Sequence, residues 1–78
     1  MKHPHCAIQL LVRPPQGKTI AMNFHRTDMC RQVHEAISVR MGMPVPTFYL
    51  VYQGRVLRNS NTLQECSIDG GALIHVTA

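Results

Sequence analysis

The sequence is poor in charge and poorer still in acid. Charged residues make up 15% of its 78 positions, and four Asp+Glu face eight Lys+Arg. The carboxylates, Asp28, Glu35, Glu65 and Asp69, form no evident acid–base pair, which removes the usual argument for hydrolytic catalysis. No apolar stretch approaches the ~18 residues of a membrane span. The N-terminal Met1-Lys2-His3-Pro4-His5-Cys6 lacks the apolar run of a signal peptide. Three cysteines, an odd number with no close pairing along the chain, read as reduced thiols and place the protein in the cytoplasm, the nucleus or both. There is no repeat and no low-complexity tract. At 8.8 kDa one small domain is expected, with no room for a second domain or a large buried enzyme cleft.

What is present is an ordinary globular share of apolar residues, 45%, and a basic excess of +4 with a pI near 9.4. That excess favours acidic partners, whether peptide, nucleic acid or lipid. Ala7 to Val12 is apolar and extended. Pro14-Pro15-Gln16-Gly17 supplies a turn, and Lys18 to Phe24 alternates, with Ile20, Met22 and Phe24 on one side. These two runs predict a hairpin. Thr27 and Asp28 offer N-cap oxygens to a helix whose stripe is Cys30, Val33, Ile37 and Met41. Gly42 ends it in the left-handed region and Pro44 forbids its continuation. Phe48 to Tyr52 reads as a buried strand, Gly54 as a turn and Val56-Leu57 as a very short strand. Thr62 to Glu65 suits one short helical turn, and Leu73 to Thr77 a closing strand. Strands with a single helix between them imply an α+β roll.

With Ile8 placed on the first residue of ubiquitin, the two chains align without a gap to Ala78. Gly17-Lys18-Thr19-Ile20, Val33, Ile37, Gly42, Pro44, Leu50, Gly54, Leu57, Thr62-Leu63, Ile68 and His75 match as they stand. The family's core positions fall on Leu10, Val12, Ile20, Met22, Phe24, Cys30, Val33, Ile37, Leu50, Leu57, Leu63, Ile68, Ile74 and Val76, all apolar. The chain therefore resembles the ubiquitin superfamily. The resemblance implies a β-grasp roll, one helix packed across a mixed four- to five-stranded sheet. It covers Ile8 to Ala78, and the domain is expected over residues 7–78 with residues 1–6 as a flexible leader.

The departures from the family bear on function. The sequence reaches Ala78 without the family's flexible tail ending in two glycines. Gly70-Gly71 sits in a loop before the last strand, where both flanks are needed for the fold. Lysines are nearly absent: of the family's acceptor lysines only Lys18 matches, while Arg55 and Gly70 stand where the two best-known linkage lysines would be. A non-conjugating domain of a larger protein of the ubiquitin/proteasome system is the reading that follows. A conjugated modifier whose Gly-Gly tail lies beyond Ala78 is the alternative.

In ubiquitin most receptors dock on one apolar patch of the sheet. The resemblance carries that patch to Pro15, Val51, His75 and Thr77, with Gly54 and Arg55 on the rim. Tyr49 and Val56 replace residues that are polar in ubiquitin and add apolar surface, an aromatic beside arginine being a composition that carries binding energy. Isolated surface apolars are common and by themselves need no explanation. Arg13, Arg55, Arg58 and His75 would steer an acidic partner. The partners implied are a ubiquitin-binding motif, a proteasomal receptor or another domain of the same chain, met by a monomer.

Nucleic acid is the rival class, on account of six arginines and the aromatics Phe48, Tyr49 and Tyr52. The arginines are dispersed, however, and alternation keeps those aromatics off one common face. Cys30 lies on the buried helical stripe and Cys66 follows the short turn, so both read as packing residues. His25 and His34 read as partly solvated side chains without ligand spacing. A free Met1-Lys2-His3 terminus has the donor order for planar Cu(II) or Ni(II), but it lies outside the fold, and no metal or cofactor is expected.

Overall fold

The computed structural model describes residues 7–78, so the expected leader at 1–6, with His3, His5 and Cys6, lies outside the described residues. The elements are β1 (Ala7–Arg13), β2 (Ile20–His25), α1 (Cys30–Met41), β3 (Tyr49–Tyr52), β4 (Arg55–Val56) and β5 (Leu73–Thr77), with a 3₁₀ turn at Val45–Thr47. They form one sheet in the order β2-β1-β5-β3-β4. β1 and β5 run parallel and the remaining pairs antiparallel. The sheet is mixed and five-stranded, with a single helix, as expected. Among the described residues no helix is long and apolar enough to cross a membrane.

Strand alternation and helical period together build the core, because each supplies one apolar side to a shared interior. Ile8, Leu10 and Val12 from β1 meet Phe24 from β2, Leu50 from β3, and Ile74 and Val76 from β5. Cys30, Val33 and Ile37 of α1 close over them, joined by Phe48, Leu63 and Ile68 from the connections. The expected core residues Ile20, Met22 and Leu57 are only partly buried and pack at its margin. Two buried apolar residues, Ile8 and Phe48, were absent from the expected set.

Several local expectations are corrected. β2 begins at Ile20, two residues after the alternation starts, and β4 is Arg55–Val56, one residue earlier than expected. Phe48 precedes β3 and turns its ring onto His34, with centroids 4.3 Å apart. His34 is accordingly buried, its Nε2 3.0 Å from the carbonyl of Val45. Thr27 and Asp28 do not cap the helix: the N-cap is Met29. Asp28 Oδ2 instead accepts the N–H of His25, tightening the preceding turn.

The helix start is capped from a distance. The N–H groups of Cys30 and Arg31 donate to the carbonyls of Asn61 and Asn59, at 2.8 and 3.3 Å. Gln32 Oε1 accepts the N–H of Met29 at 2.8 Å. In return the N–H of Leu63 donates to Asp28 and that of Gln64 to Arg26. Two of the donors that a helix leaves open in its first turn are thus met by the backbone of Asn59 and Asn61. Thr62–Glu65 forms a turn closed reciprocally: Glu65 Oε1 accepts the Thr62 N–H at 2.8 Å and Thr62 Oγ1 accepts the Glu65 N–H at 3.1 Å. At the other end of the helix Gly42 takes φ 68°, as expected, and the hydroxyl of Ser38 donates to the carbonyl of Met43.

Candidate functional site

Strand register builds the outer sheet face. His75 on β5 pairs with Arg13 on β1 and with Val51 on β3, and Val51 pairs with Val56 on β4. Arg13, His75, Val51 and Val56 therefore form one row across four strands. One step along the strands on one side, Thr77 pairs with Tyr49; on the other side Leu11 pairs with Leu73. Successive side chains of a strand point to opposite faces, so these residues look away from α1. The alternating pairs, Val12–Ile74 and Leu50–Val76, are buried beneath the helix.

Five of the expected docking residues, Tyr49, Val51, Val56, His75 and Thr77, thus fall on neighbouring positions of one face. Tyr49 is 43% and Val56 58% exposed. Val51 and Thr77 are half-buried, while His75 and Arg13 are exposed. Leu11 and Leu73, half-buried on the same face, were not singled out from the sequence. The continuous apolar run of β1 hid them, since only pairing with β5 separates its outward from its inward members.

Three expected residues lie beside this row and not in it. Gly54 sits with Gln53 in the turn between β3 and β4, at φ 79° and 51°, the two positive values that match the twist of a two-residue hairpin. Arg55 pairs with Tyr52 and so has the opposite parity to Val56. With Arg58, Glu65 and Cys66 it lines a polar cleft of about 720 Å³, which Val56 also borders. Pro15 is exposed in the connection from β1 to β2 and lines a separate apolar groove with Ile20, Arg40, Met41 and Met43.

Three carboxylates are engaged within the chain. Asp69 pairs with Arg26, the one ion pair among the described residues. The N–H of Gly70, and after it Arg26, hold the Asp69 carboxyl below its ordinary pKa of 3.8. Asp28 and Glu65 accept backbone N–H groups. Arg13, Arg55 and Arg58 take no part in that ion pair, so the outer face and its margin carry an excess of positive charge, with Glu65 the one carboxylate lining the cleft beside Arg55 and Arg58. Among the described residues no three His, Cys, Asp or Glu side chains gather as they would around a metal ion.

The described cysteines are closer than their spacing suggested. Cys30 opens α1 and Cys66 lies in the turn after Thr62, yet their Sγ atoms are 3.9 Å apart and both are free thiols. Burial, and after it the neighbouring Cys66, push the Cys30 thiol up to a pKa of about 12.

The sequence model of the Ubiquitin family matches residues 10–78. A Dictyostelium discoideum protein named ubiquitin-like protein NEDD8-like protein 2 is 32% identical over 60 residues, 77% of this chain and 75% of that one. Ubiquitin-like protein NEDD8 from the same organism is 26% identical over 65 residues, 83% and 84% of the two chains. Among solved structures, Caldiarchaeum subterraneum ubiquitin superposes with a TM-score of 0.86 at 19% identity, covering 92% of this chain and 94% of that one. A de novo design based on ubiquitin gives 0.84 at 21% identity, covering 92% and 88%. The two structures establish the β-grasp fold, and with the family match spanning nearly every described residue, the chain belongs to the ubiquitin family.

Proposed function

We propose that this ubiquitin-family chain is a recognition domain that docks an acidic, amphipathic protein segment on the outer face of its sheet. The observation that carries the reading is the Arg13–His75–Val51–Val56 row, flanked by Tyr49 and Thr77. An apolar stretch at Val51 and Val56 with Arg13 and His75 at one end fits a helix with a narrow apolar stripe and carboxylates beside it. Charge complementarity would speed encounter, and contact with Val51 and Tyr49 would supply retention. The face offers a handful of side chains where each partner of a standard interface brings about 20–30 residues, so binding is weak and fast.

A domain working in this way acts as a monomer within a larger protein of the ubiquitin/proteasome system, in the cytoplasm or nucleus. Its partner is a ubiquitin-binding motif, a proteasomal receptor or another domain of its own chain. The scarcity of lysine supports a role outside chain building. So does the position of Gly70-Gly71, where the N–H of Gly71 donates to the Gln9 carbonyl inside the fold.

The test is an NMR titration of the labelled chain with a synthetic ubiquitin-interacting-motif peptide. Shifts should centre on Val51, His75, Tyr49, Val56 and Thr77, and Val51→Glu should abolish them while the spectrum stays folded. Shifts confined to the helix or to the Pro15 groove, or binding unchanged in Val51→Glu, overturn the assignment. C-terminal peptide mass spectrometry on the endogenous protein separates the two roles: a long continuation past Ala78 fits an integrated domain, and a mature end in Gly-Gly a conjugated modifier.

A further inference from the structure

Two thiols 36 residues apart in sequence have their sulfurs 3.9 Å apart, and nothing in the docking reading uses them. Backbone bonds hold both sides of the contact: Cys30 N–H to the Asn61 carbonyl, Leu63 N–H to the Asp28 carbonyl, and Cys66 N–H to the Thr62 carbonyl. The pair is asymmetric. Cys30 is 1% exposed, whereas Cys66 is half-buried and borders the polar cleft. That cleft also presents Arg55 and Arg58, with Glu65 as its single carboxylate.

We propose that Cys66 and Cys30 form a thiol–disulfide exchange site, in which Cys66 reacts with an anionic small-molecule disulfide of the glutathione class and Cys30 resolves the adduct. In the first step the Cys66 thiolate attacks one sulfur of glutathione disulfide, the S–S bond breaks, and one glutathione thiolate leaves and is protonated. In the second step the Cys30 sulfur, giving up its proton, attacks the Cys66 sulfur and displaces the second glutathione. The two protein thiols together lose two electrons and two protons, and glutathione disulfide becomes two glutathione thiols. Arg55 and Arg58 suit the carboxylates of the incoming reagent. The sulfurs must approach by about 2 Å to reach bonding distance, within the reach of side-chain rotation at a turn residue.

The product is a covalent link between the start of α1 and the turn at Cys66, across a contact that hydrogen bonds already define. The loop it closes is long, so the folded state should gain markedly in thermal stability. Because Cys30 holds its proton up to a pKa of about 12, ring closure should be the slower step and should accelerate as pH rises.

The experiment is incubation of the 78-residue chain with glutathione disulfide, followed by alkylation under denaturing conditions and tryptic mapping. Cys6, Cys30 and Cys66 fall on separate tryptic peptides. The expected result is a Cys30–Cys66 cross-linked peptide, protected from alkylation at both residues, a Tm raised by on the order of 10 °C, and reversal by dithiothreitol. Cys30→Ala should trap the glutathione adduct on Cys66. Cys66→Ser should leave Cys30 unreacted, and this variant keeps the core intact should Cys30→Ala fail to fold. Overturning results are a stable glutathione adduct on Cys66 with Cys30 still alkylatable, a Cys6–Cys66 or intermolecular link, or both thiols free under conditions that oxidise glutathione-accessible cysteines.

Discussion

The two faces of the sheet share aliphatic residues from the same strands and serve different ends. On the inner face Val12 lies beside Ile74 and Leu50 beside Val76, all nearly inaccessible. One residue along each strand, Arg13 lies beside His75 and Val51 beside His75 and Val56, half-buried to exposed. Leu50 and Val51 are adjacent and both aliphatic, yet one is 2% exposed and the other half-buried. The hydropathy of a residue does not tell which task it has; its parity in the strand and the cover above it do.

Substitutions on the inner side should produce the largest effects. Leu50→Ala or Leu63→Ala should lower unfolding free energy by about 2–5 kcal/mol, read by denaturant titration, with partner contacts on the outer face unchanged in the fraction still folded. A loss below ~1 kcal/mol would show that the interior relaxes around the cavity. Gly42→Ala, which places a side chain at φ 68°, should cost about 1–2 kcal/mol, though nothing lies within 4 Å of its Cβ. Val51→Glu should alter stability by no more than ~0.5 kcal/mol and cut affinity for an acidic amphipathic peptide at least tenfold. Equal damage to stability and binding would erase the distinction between the faces.

Two titrations sharpen the same contrast. Cys30, on the inner side, has its pKa raised from 9.0 to about 12, so the folded state binds its proton more tightly than the unfolded chain does. Its contribution is complete below pH 9 and declines as pH rises toward 12. Chemical denaturation across that window should show the decline, and Cys30→Ala should flatten it. Asp69 is exposed and shifted the other way, below 3.8, so its contribution is present above that value and fades on acidification through its folded pKa. Asp69→Asn should remove that part of the acid dependence and little else, the smallest effect of the set.

The hairpin, the helix and nearly all of the core were legible in the sequence, because periodicity reports burial wherever an element has one covered side. Cys30, Val33 and Ile37 repeat at helical spacing, and Met22 and Phe24 alternate as a half-covered strand must. Interactions between distant segments were not legible. Thr27 and Asp28 look like caps, but the loop at Asn59–Asn61 reaches the helix start first. His34 is a polar residue on an amphipathic helix, and the ring of Phe48 and the carbonyl of Val45, both from the connection after the helix, cover it. The same holds at the docking face. Val51 and His75 follow from the family alignment, Tyr49 from a departure from it and Arg13 from its charge, whereas Leu11 and Leu73 become part of the face only through the register of β1 with β5.

That register also constrains synthesis. β5, at residues 73–77, lies in the middle of the strand order, parallel to β1 and flanked by β3. Until those residues have left the ribosome, the hairpin and the β3–β4 pair have no strand between them, and their inner apolar faces stay unmatched. The domain therefore completes its fold late, through a contact of long sequence separation. A nascent chain stalled before residue 73 would be a substrate for chaperones and proteases.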